Sequence, residues 1–103
     1  MTSVSNAGGL GDDKKGFGNI FWQRLSQRYR HLRRNTNTTD FIFEIADIRK
    51  DTTEGGLGIE GFDEAFIEQR LHEIENEGLV DLIHEKRKFR LTQKGIAYCE
   101  LIN

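Results

Sequence analysis

The chain has 103 residues, 36% hydrophobic and 31% charged, the size and make-up of one small globular domain, which excludes a large multidomain enzyme. Its 15 Lys and Arg against 17 Asp and Glu leave a formal net charge of -2, so overall charge selects no partner. No apolar run approaches the ~18 residues of a membrane span, no signal-like apolar stretch precedes Asp12 and Asp13, and the single Cys99 rules out an intrachain disulfide; a soluble, cytoplasmic protein without membrane contact is expected.

Residues 1–16 hold four glycines and only Met1, Val4, Ala7 and Leu10 as apolar side chains, too little surface to offset the entropy of ordering them. A disordered Gly-rich tail is expected there, with 17–103 as the folded domain. From Phe17 to Arg34, Phe21, Trp22, Leu25, Tyr29 and Leu32 recur every three or four residues, predicting a helix over 17–34 with one buried stripe. Trp22 and Tyr29 offer that helix an exposed apolar seam for a second copy, a homodimer through residues 17–34. Thr38, Thr39 and Asp40 are competent caps, and Phe41, Ile45 and Ile48, with Ile42 and Ala46 alongside, share a helical face. This favours a helix over 41–50, although the alternation of Phe41, Phe43 and Ile45 also suits a strand. Four glycines between Asp51 and Gly61 predict a loop or one short turn.

Asp63 then caps a helix over 63–77, with Phe62 and Ile67 in staple positions and Ile67, Leu71 and Ile74 on one face. Gly78 supplies a left-handed ending in which Leu79 reaches back to Ile74. Leu79 to His84 and Lys88 to Thr92 flank the charged Glu85-Lys86-Arg87-Lys88, predicting a β-hairpin with a basic tip. Thr92 caps a last helix reaching Ile102, with Ile96, Ala97, Cys99 or Leu101 directed inward.

Charge is unevenly spread. Residues 1–50 carry nine basic and five acidic side chains, 51–81 one and ten, and 82–103 five and two, so a polyanion must approach the ends of the sequence and avoid its middle. No catalytic constellation stands out, and neither a cofactor nor a metal site is expected. Gly56-Leu57-Gly58-Ile59-Glu60-Gly61 matches a dinucleotide-binding pattern, but about ten mostly polar residues separate it from the nearest apolar run, where a buried strand has to end. A flexible glycine loop accounts for it better. His31, His72 and His84 lack metal-ligand spacing, Cys99 has no base beside it, and the glutamates of 64–77 read as a solvated helix face.

The order helix, helix, turn, helix ending in Gly, hairpin, helix resembles a winged helix-turn-helix domain over residues 39–103. The marks are Leu71-His72-Glu73-Ile74-Glu75-Asn76-Glu77-Gly78-Leu79-Val80, the hairpin after it, and Leu91-Thr92-Gln93-Lys94-Gly95, which are similar to MarR-like and PadR-like families. The resemblance implies an α+β fold in which 63–77 is the recognition helix and 84–90 the wing, preceded here by an extra N-terminal helix. It implies a small transcription regulator that holds double-stranded DNA by its phosphates, through Lys86, Arg87, Lys88 and Arg90 of the wing and Arg24, Arg28 and Arg30 of the first helix. Base reading would fall to Gln69, Arg70, His72 and Asn76. The connection before the recognition helix is a glycine loop of about twelve residues rather than a tight turn. The recognition helix also carries Asp63, Glu64, Glu68, Glu73, Glu75 and Glu77 against Arg70 alone. That acidity supports the alternative of a winged-helix module whose partner is a protein.

Overall fold

In the computed structural model, which describes residues 16–102, helix α1 spans Phe17–Asn35 and does much of the work of organising the core. Its three-and-four spacing puts Phe17, Phe21, Trp22, Leu25 and Tyr29 on one buried face. Each aromatic of that face meets a different part of the chain: Phe17 lies edge-on to Phe62 and Phe66, Phe21 reaches Phe89, Trp22 meets Tyr98 edge-on at 4.8 Å, and Tyr29 meets Phe41 at 4.8 Å. Trp22 and Tyr29 are therefore inside the domain, 6% and 2% exposed, and the seam expected to pair two copies through 17–34 does not exist on the surface. The helix stops where Thr36 turns extended and both its N–H and its hydroxyl donate to the Leu32 carbonyl. The expected tail 1–16 lies outside the described residues, Gly16 excepted.

The helix favoured over 41–50 is not formed. Strand β1, Ile42–Glu44, is followed by a single 3-10 turn, Ile45–Ile48. The period of two wins because a sheet partner is available: Phe43 stacks on Phe89 with centroids 5.5 Å apart, and Leu91 N–H donates to the Phe41 carbonyl. Thr38, expected as a cap, instead closes a local turn, its hydroxyl donating to the Asp40 carbonyl and accepting from Asp40 N–H.

The glycine segment holds one 3-10 turn, Thr52–Glu54, capped by the Asp51 carboxylate. It is pinned rather than flexible. Leu57, Gly58 and Ile59 donate their N–H groups to the carbonyls of Asp47, Lys50 and Ile48, and Leu57 and Ile59 are buried in the core.

Helix α2, Glu64–Asn76, follows the sequence closely. Asp63 accepts from Phe66 N–H at 2.8 Å, and Ile67, Leu71 and Ile74 are buried. At its end Gly78 adopts φ 82, its N–H donates to the Glu75 carbonyl and Leu79 N–H to that of Ile74, the paired bonds of a Schellman ending. Lys94 adds its ammonium to the Glu77 carbonyl, a cation at the negative end of the helix.

Strands β2, Val80–Ile83, and β3, Lys88–Leu91, form the expected hairpin around the 3-10 turn His84–Lys86. With β1 they make an antiparallel sheet of order β1-β3-β2, in which Phe89 lies opposite both Phe43 and Leu82. Helix α3, Gln93–Leu101, starts at Thr92, whose hydroxyl accepts from Gly95 N–H and donates to the Gly78 carbonyl. Gly95 is required by close approach: a Cβ there would sit 2.0 Å from the Leu79 oxygen. Cys99 is fully buried, whereas Ala97 is exposed and Leu101 is 79% exposed, so those two do not pack inward as expected. The fold is thus α+β, three helices and a three-stranded antiparallel sheet. No helix among the described residues is long and apolar enough to cross a membrane.

Candidate nucleic-acid interface

Helix α2 and the hairpin tip, the two elements expected to grip DNA, meet directly. Arg87 takes a left-handed conformation, φ 51, at the start of β3. That conformation is uncommon outside glycine, and here it accompanies a side chain laid across α2: its guanidinium pairs with Glu64 and, at 2.7 Å, with Glu68. The Glu68 carboxylate, and then that of Glu64, holds the Arg87 guanidinium above its ordinary pKa. Lys88 lines a cavity of about 60 Å³ beside Arg87, facing Glu68, Leu71 and His72. Lys86 is exposed, and Arg90 stands half-buried opposite Ile42 and Asp81.

Of the four residues expected to read bases, Gln69, His72 and Asn76 are exposed and share one flank of α2, being three and four residues apart. Arg70 is turned aside. Its side chain is only 14% exposed and pairs with Glu73 one turn on.

The arginines of α1 do not join the wing. Arg24 donates to the Leu57 carbonyl at 2.7 Å and, more weakly, to that of Gly58, tying α1 to the glycine segment. Arg30 donates to the Cys99 carbonyl near the end of α3. Arg28 lies over Gly55, in a cavity that shares no residue with the one beside the wing. Two of the three therefore help hold the fold together, and the seven cations expected to contact phosphates do not line one common cavity.

Two cations that sequence reasoning did not select are close to α2. Arg49 and Lys50, just past the 3-10 turn of Ile45–Ile48, line a cavity of about 360 Å³ with Glu64 and Ile67 of α2, and Ile45 borders both this cavity and the one beside the wing. Their adjacency in a basic block was visible; reading 41–50 as a helix gave no reason to aim them at α2. A hydrogen bond from Lys50 to Asp47, 3.1 Å long, raises the lysine's pKa above its ordinary value.

Burial pushes the Cys99 thiol up to about 12, with the Arg30 charge opposing it only in part, so the sulfur is a neutral thiol at pH 7 and not a nucleophile. The N–H groups of Gly56, Leu57, Gly58 and Ile59 all donate to carbonyls of 47–51, which leaves none of the four to cradle a pyrophosphate. Among the described residues no three His, Cys, Asp or Glu side chains gather as a metal set.

Comparison of the chain with protein-family models, with curated proteins and with solved structures finds no match.

Proposed function

We propose that this chain is a small winged-helix regulator that associates with duplex DNA mainly through its phosphates. One observation carries the reading: cations from two elements, Arg87 and Lys88 of the hairpin and Arg49 and Lys50 of the turn after β1, line adjoining cavities that share Ile45 along one face of helix α2. A duplex laid along that face of α2 would meet positive charge contributed by both elements, the kind of backbone contact that positions a helix on a groove. The element order supports the same fold family, with β1 completing the sheet beside β3 and two single 3-10 turns standing where the second helix of the family is expected. Because Glu64 and Glu68 occupy the same face, base reading is limited to Gln69, His72 and Asn76, and affinity rests on counterion release.

The test is fluorescence anisotropy of random-sequence duplex DNA with the full chain across a salt series. Four contacts by Arg49, Lys50, Lys86 and Lys88 give a slope of log Kobs against log salt of about -3 to -4, and replacing Lys86 and Lys88 by alanine reduces it by about 2. Absence of binding at low salt overturns the reading.

A second reading, a winged-helix module for a protein partner, is favoured by the Arg87 ion pairs with Glu64 and Glu68, since a wing arginine neutralised by α2 contributes less to a phosphate contact. On that reading DNA binding is absent at any salt, and substitutions at Gln69 or Asn76 affect the partner alone.

A further inference from the structure

On the α1 side of the glycine segment lies a cavity of about 180 Å³ that neither reading uses, lined by Arg24, Arg28, His31, Thr52, Gly56 and Leu57 among others. Arg24, Arg28 and His31 fall at i, i+4 and i+7, which places all three on one flank of α1. The glycine segment is shaped to receive them. At Gly58, φ 66, a Cβ would come within 2.9 Å of Arg24 Nη1, and at Gly55, φ 87, within 3.5 Å of Arg28 Nη2. The two guanidinium groups therefore rest over two left-handed glycines.

Their charges are not neutralised. Arg24 Nη1 is engaged by the Leu57 and Gly58 carbonyls, which supply dipoles but no negative charge, and the other nitrogens of a five-donor group remain. Among the described residues no carboxylate pairs with Arg28, although it is half-buried, and no acid lines the cavity. His31 completes the set, its Nδ1 lying 3.3 Å from Asn35 Nδ2 and its ring lining the cavity. Like charges at i, i+4 repel, and burying them without an anion raises the cost. A tetrahedral oxyanion accepts from two forks and an imidazole at once and removes that repulsion.

We propose that the Arg24, Arg28 and His31 cavity binds a phosphate group, either that of a small phosphate monoester or that of a nucleic-acid backbone. A monoester dianion matches two guanidinium charges in a cavity whose lining holds no acid, so the free small molecule is the better fit. The site stands apart from the wing and is independent of duplex binding there.

Inorganic phosphate is titrated into the full chain at constant ionic strength balanced with chloride, and amide shifts are followed by 1H–15N NMR. Saturating shifts confined to residues 27, 28, 31 and 52–57 are expected, with binding about tenfold weaker or worse in Arg28→Gln. Arg28→Lys, which keeps the charge but loses the fork, weakens it too and serves if the glutamine variant does not fold. Shifts that never saturate, or that persist unchanged in both variants, overturn the site. A short duplex that displaces phosphate from the same amides assigns the phosphate group to nucleic acid; a duplex that leaves them unmoved assigns it to a small molecule.

Discussion

Tyr29 Oη donates to Glu100 Oε2 at 2.5 Å, joining the middle of α1 to the last turn of α3 across 71 residues of sequence. Arg33 also donates to that carboxylate and to the phenol oxygen. The Tyr29 hydrogen bond, the largest effect, holds the Glu100 carboxyl below its ordinary pKa against the opposing effect of desolvation, with the Arg33 charge adding to the lowering. A carboxyl with a lowered folded pKa stabilises the fold above the ordinary Glu range and loses that stabilisation as pH falls through the lowered value. Thermal unfolding of wild type and Glu100→Gln across pH 7 to 3 is therefore expected to show a wild-type advantage at neutral pH that shrinks toward the acid end. A difference that stays constant across the range sinks the assignment.

Glu64 and Glu68 restrain the one arginine of the wing tip, so removing their charge acts on DNA binding with opposite sign to removing a cation. In the Glu64→Gln, Glu68→Gln double variant, Arg87 is released and two repulsive charges leave the face of α2. Anisotropy at moderate salt is expected to show affinity for random duplex rising several-fold, with a slope steeper by about one phosphate contact. Unchanged affinity would mean that DNA does not approach this face.

Gly95 tests the seat of α3 on the hairpin. Ordinarily alanine in a helix gains up to about 1 kcal/mol over glycine. Here the added methyl meets the Leu79 carbonyl oxygen at 2.0 Å and Leu91 Cδ2 at 3.1 Å, and the first of these is backbone that cannot step aside. Overpacking wins, and Gly95→Ala is expected to lose about 1–3 kcal/mol by urea unfolding. A stabilised variant would mean that α3 sits farther from Leu79.

What the sequence made legible follows from range. Asp63 and Gly78, and Thr92 in capping Gly95 N–H, act through N–H and carbonyl groups within five residues of themselves, so α2, its Schellman ending and the start of α3 could be read locally. Segment 41–50 could not, because its two periods are nearly equal and the choice is made by Phe89 and Leu91 of β3, more than 40 residues on. The candidate interface was hidden for the same reason. Arg87 looked free in sequence, and its two carboxylates stand 23 and 19 residues away. Arg24 and Arg30 looked like surface cations until the carbonyls of Leu57 and Cys99 came within reach.

The strand at 42–44 has a sharp consequence for Ile42 and Phe43. A helix through 41–50 places Ile42 beside the packed face, whereas the strand leaves it 42% exposed on the edge of the sheet and turns Phe43, 8% exposed, onto Phe89. Ile42→Thr keeps the β-branch that a strand favours and removes little buried surface, so its effect is expected within about 0.5 kcal/mol. Phe43→Ala opens a cavity beneath the sheet and is expected to cost about 3–5 kcal/mol. Denaturant unfolding of the two variants decides between the periods, since the helical arrangement requires Ile42→Thr to be costly as well.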